Sequence, residues 1–165
     1  MNLTQPKVHV PATRMEKIFH AASLVLLTAT FTYVILKYAS LPDTIPIHFN
    51  AQGEADNWSG KGTIFLLPVI SLLMFIALYF LNKVPHIYNL PVNITEENAP
   101  RIYPIARTMM AVFNFEMVAI FSYLTWDVIN AAEGNATLGV WFILAVFIVP
   151  LGTIALFIPP MRRRQ

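Results

Sequence analysis

Four apolar runs, each close to the length of a membrane crossing, constrain this chain more than any other feature in it. They occupy residues 18–38, 63–81, 108–126 and 138–158. A helix rises about 1.5 Å per residue, so each run can cross a hydrocarbon layer of about 30 Å. Within that layer a backbone must satisfy its own hydrogen bonds, and runs of this length do so as helices. Composition agrees, with 56% hydrophobic and 12% charged residues, against roughly a quarter charged in soluble domains. The expected fold is an all-α membrane protein: one integral membrane domain over 1–165, with four transmembrane helices. The first run competes with a signal-peptide reading. It is longer than an h-region of about 7–15 residues, and Tyr38-Ala39-Ser40 is a poor cleavage site. We read it as a retained helix.

Orientation follows from the basic residues. Lys7, Arg14 and Lys17 precede the first run, Lys83, Arg101 and Arg107 lie between the second and third, and Arg162, Arg163 and Arg164 follow the fourth. Only Lys37 and Lys61 fall on the other side. Cytoplasmic flanks collect Lys and Arg. The expectation is a multi-pass plasma-membrane protein with both termini cytoplasmic, a cytoplasmic connection at 82–107 and an extracytoplasmic loop at 39–62.

That outer loop carries the candidate chemistry. Over 41–61 it reads LPDTIPIHFNAQGEADNWSGK, and Pro42 and Pro46 bias it toward extended backbone. Ile45 to Asn50 is expected to form a short strand, with a turn at Ala51-Gln52-Gly53 in which glycine can take positive φ. About 21 residues is long for a structureless link, which implies local order or function. The candidate binding residues are His48, Asn50, Gly53, Glu54, Asp56 and Trp58. Imidazole and carboxylates suit a transition metal, but HxxxxxExD matches no ligand signature. The preferred reading has His48 beside Phe49 and Trp58 at the interface, the acids facing water, and no metal.

The cytoplasmic connection opens with VPHIYNLPV, too rich in Pro and Asn to span. Thr95 resembles an N-cap, with Glu96 and Glu97 in the positive first turn. A short surface helix is expected to run from there to Arg107. Two polar residues, Asn114 and Glu116, interrupt the third run. Glu116 sits about 12 Å deep at the helical rise, where a carboxyl marks a functional site or a buried partner. Ser23, His20 and Arg107 are its expected partners, with interhelical fastening preferred to a proton or ion path. Glu133-Gly134-Asn135 signals a turn. Pro150 and Gly152 suggest a kink in the fourth helix, and Pro159-Pro160 its end.

Residues 41–61 also carry a resemblance. Leu41-Pro42, Ile45-Pro46, His48-Phe49-Asn50, Gly53, Asp56-x-Trp58 and Lys61 are similar to LP-x-x-IP-x-HFN-x-x-G-x-x-D-x-W-x-x-K. That pattern belongs to the bacterial domain-of-unknown-function 1648 membrane family, the N-terminal domain of SdpI-like immunity proteins. The similarity continues more loosely through Pro68, Pro85 to Asn89 and Thr95 to Ala99, so it reaches roughly the first three helices. It implies a membrane protein with an ordered outer loop and brings no catalytic residues. SdpI-like proteins guard against a secreted peptide toxin and can hold a repressor at the membrane. The second multi-helix domain of the full-length pattern is not seen after the fourth run.

Function classes narrow accordingly. Cysteine is absent, which removes disulfides, thiolate metal sites and cysteine nucleophiles. GxSxG, HExxH and P-loop patterns are missing, and a net charge of +2 gives no reason to expect nucleic acid. We expect a non-enzyme without cofactors. It would be a binding, regulatory or immunity-type protein whose outer loop recognises a peptide, lipid or partner protein, with homo-oligomerisation open. The alternative is a small transporter subunit using Glu116.

Overall fold

A computed structural model describes residues 5–50, 53–135 and 139–164. Four helices run through it: α1 (Arg14–Tyr38), α2 (Leu66–Leu81), α3 (Ala99–Ala132) and α4 (Val140–Arg162). Between α1 and α2 stand two antiparallel strands, β1 (Thr44–Phe49) and β2 (Ala55–Gly60). A 3₁₀ segment, Lys61–Phe65, leads into α2. The entry to α2 is therefore wound. With it included, four helical stretches are long and apolar enough to cross a membrane.

The third helix organises the molecule. It packs against α1, α2 and α4, and β1 also rests on it. Contacts between α1 and α3 join Thr13 to Thr108, Thr30 to Ser122 and Lys37 to Glu133. Both partners advance together along the chain, so these helices are parallel. Apolar clusters mark three levels of the bundle. Val34, Leu41, Ile45, Ile64, Val128 and Ile129 lie at the hairpin end; Leu27, Phe75 and Val118 at mid-height; Tyr88, Ile102, Ala106 and Met161 at the tail end. Burial of each such side chain contributes about 1.5–3 kcal/mol in water. Within lipid that drive is weak, and close packing and hydrogen bonds replace it.

Several boundaries differ from the sequence reading. Helix α1 begins at Arg14, because Thr13 accepts from the Glu16 amide and Glu16 reaches back to the Thr13 amide, a capping box. The surface helix expected from Thr95 is not separate from the third span. Thr95 and Asn98 exchange side-chain and backbone hydrogen bonds in a turn, and one continuous 34-residue helix then starts at Ala99. Pro100 fixes that start, since proline fits a first turn where its missing N–H costs nothing. Pro104 lies inside the helix, beside Ile102, Tyr103 and Ala106, all fully buried. At about 1.5 Å per residue α3 is about 51 Å long, so it extends well beyond a bilayer core of about 30 Å.

Pro159 and Pro160 do not end α4, which runs on to Arg162. Met161 is fully buried against Ile102 and Ala106, and that packing holds the last turn. The start expected at Leu138 lies outside the described residues; the helix is seen from Val140. The turn at Glu133-Gly134 is as expected, with Gly134 at φ +82° and the Asn135 amide bonded to the Asn130 carbonyl, the glycine-terminated helix end.

Candidate functional site

The hairpin is built from its base upward. The Lys61 amide donates to the Asp43 carbonyl at 2.9 Å, closing the first rung, and Ile45 is fully buried over Val128 and Ile129. The expected strand at Ile45–Asn50 is thus present, and its partner β2 was not foreseen. Asp56, Asn57 and Ser59 belong to that second strand. Its polar residues gave no alternation signal to read.

Register irregularities flank His48, which pairs with Asn57. A bulge re-aims the side chains around it, and here the His48 ring meets Asp56, Nδ1 to Oδ1 at 2.5 Å. Two residues after His48, Asn50 organises the tip. Its side chain accepts from the Glu54 amide at 3.0 Å and donates to the Glu54 carboxylate at 3.2 Å. Gly53 takes φ +82°, as the turn requires; Ala51 and Gln52 lie outside the described residues. Trp58 pairs with Pro46 in the ladder and stays 55% exposed. The six residues singled out therefore form two couples, His48–Asp56 and Asn50–Glu54, plus a glycine hinge and an exposed indole. Among the described residues no three His, Asp or Glu side chains are placed to hold a metal ion.

Beneath the couples lies a cleft of about 400 Å³. Ile47, His48 and Phe49 of β1, with Asn50 just beyond it, line one side, Phe142, Val146 and Phe147 of α4 another, and Leu67 and Val128 contribute between them. An apolar body with a few polar groups at its mouth is the usual make-up of a small-ligand site. The sequence could supply the polar rim, but the contribution of α4 depends on tertiary packing.

The two intramembrane polar residues have separate partners. Asn114 is fully buried and donates to the Phe75 carbonyl of α2 at 3.2 Å. Glu116 faces the other way and accepts from Thr153 of α4. None of Ser23, His20 or Arg107 is its partner. Ser23 bonds to the Phe19 carbonyl, His20 to Asn82, and Arg107 to Glu16 at 2.6 Å.

This last contact belongs to a polar cluster that sequence reasoning missed. Arg107 also donates to the Val10 carbonyl at 2.6 Å, and Tyr88 donates to Asn82, which meets His20 at 3.0 Å. Burial raises the Tyr88 hydroxyl well above its ordinary pKa, because the phenolate would be poorly solvated. The T-x-x-E pattern of Thr13 and Glu16 was the readable sign, since it marks a helix start and places Glu16 one turn inside it. The amino-terminal stretch is likewise not a loose tail. Tyr103 donates to the Pro6 carbonyl and Gln5 to that of Tyr88, so residues 5–13 strap the helix ends together.

Comparison with known proteins centres on the hairpin. Residues 25–72 match DUF1648, a domain of unknown function. The DUF1648 match runs from the middle of α1 through both strands to the second turn of α2, and over that segment the chain is similar to the family. It ends short of the third helix, to which the looser sequence resemblance extended. An uncharacterized protein of Archaeoglobus fulgidus is 24% identical over 155 residues, covering 84% of each chain. At that coverage the similarity extends over α3 as well, outside the DUF1648 segment. No solved structure matches.

Proposed function

We propose that this is a recognition protein of the membrane's outer face, and that the cleft between β1 and α4 takes an apolar segment of its ligand. The reading rests on that cleft: aromatic walls from Phe49, Phe142 and Phe147 suit an apolar chain, and the His48–Asp56 couple at its mouth offers hydrogen bonds to a polar backbone. A peptide with apolar side chains combines both needs. In its most specific form the ligand is a secreted peptide, as the family resemblance implies, and the protein shields its own membrane from it. The charge distribution supports an outward-facing hairpin, because nine of the eleven Lys and Arg residues lie at the other end of the helices.

The test is photo-crosslinking from position 49 in cells exposed to the secreted peptides of the same strain, together with growth after gene deletion. A crosslinked peptide that is lost in Phe147→Asp, with deletion raising sensitivity, is the expected result. Unchanged sensitivity and no crosslink would remove the immunity form of the reading.

A further inference from the structure

The tail end of the bundle holds a second cavity, unconnected with the hairpin. It measures about 340 Å³, and His9, Val10, Pro11, Lys83, Pro85 and Arg107 contribute to its walls. We propose that it binds the phosphate group of an anionic ligand, with a phospholipid headgroup and a free phosphate as the two sources of that chemistry.

Four observations carry this. The first is position: the strap enters α1 here and α2 has just ended at Leu81, so the cavity opens where two membrane-length helices stop, at headgroup level. The second is charge. Arg107 is tied to Glu16, which cancels its charge, whereas Lys83 has no carboxylate partner among the described residues. Lys83 supplies the net positive charge. It is also pre-positioned, with its ammonium 4.4 Å from the Tyr79 ring centre and 5.1 Å from that of Phe80, which restrains an otherwise mobile chain. The third is an unused donor: Arg107 is 9% exposed, and its Nε–H has no acceptor among the described residues. A buried donor left unmade is costly. An anion lodged beside the guanidinium, with a small adjustment of the fork, would answer it. The fourth is shape. Pro11 of the strap and Pro85 of the α2–α3 connection both line the cavity, and their fixed φ stiffens those two wall segments. Basic recesses between helices at a membrane surface are suited to anionic headgroups.

Full-length protein purified in detergent would be exchanged into nanodiscs containing equal parts phosphatidylglycerol and phosphatidylcholine, and the co-retained lipid counted by native mass spectrometry. Wild type is expected to retain phosphatidylglycerol about fivefold over phosphatidylcholine. Lys83→Glu should abolish that preference, while Arg163→Glu, the same change in net charge at an exposed site on the same end, should keep it. In a second arm, inorganic phosphate is added to lipid-depleted protein during thermal unfolding. Stabilisation seen in wild type and lost in Lys83→Glu points to a free anion at the same cavity. Equal loss in both variants, or a preference that survives Lys83→Glu with no effect of phosphate, overturns the proposal. Lys83 is exposed and outside the buried cluster, so the variant is expected to fold; an unchanged melting temperature without ligand checks this.

Discussion

At the scale of single residues, Glu16 and Arg107 make the sharpest case. Their side chains are 5% and 11% exposed, so removing one partner strands the other. Glu16→Met or Arg107→Met alone is expected to cost about 3–5 kcal/mol, and the double variant to recover most of it. Chemical unfolding of all three proteins in detergent measures the cycle. Glu116 behaves differently, because its neighbour is a hydroxyl. Glu116→Gln keeps a group that can pair with Thr153, and is expected to fall within about 1 kcal/mol of wild type. Proton flux into proteoliposomes decides between fastening and transport: equal flux in wild type and Glu116→Gln excludes a proton path through this residue.

At the scale of elements, the hairpin depends on backbone geometry more than on its side chains. Gly53 holds φ +82°, and a β-branched residue there would be strained. Gly53→Val is expected to cost the hairpin about 1–2 kcal/mol, read as faster amide exchange across 44–60 with the helices unaffected. Much of this element was legible in the sequence: the prolines, the strand at Ile45, and the turn glycine each have a local cause. The second strand was not, because Asp, Asn and Ser carry little strand propensity and β2 exists by pairing with β1. The helices show the same division. Their cores follow from hydropathy alone, while the fusion of a surface helix with the third span, and the passage of α4 through Pro159 and Pro160, were settled by what packs against Tyr103 and Met161. The Glu116 partner was misjudged for a related reason. Depth along a helix can be counted from sequence, but the facing helix cannot.

At the scale of the whole molecule, the claim most exposed to test is orientation. The chain has no cysteine, so single cysteines introduced at Asn57 and at Arg163 report without interference. A membrane-impermeant maleimide applied to intact cells is expected to label position 57 and leave 163 untouched until the cells are opened. The reverse pattern would turn the protein over and move the hairpin cleft to the cytoplasm. Four spans were legible because bilayer thickness imposes a length on any helix that crosses it. Their arrangement around α3 was not, since lipid-facing and helix-facing apolar residues look alike in a sequence.

The Glu16–Arg107 contact also has a consequence in time. The two residues are 91 positions apart, and a ribosome adding about 5–20 residues per second needs on the order of five to twenty seconds to make the second after the first. The bond that joins the first turn of the first helix to the third can therefore form only after both have been made, so the tail end of the bundle closes late.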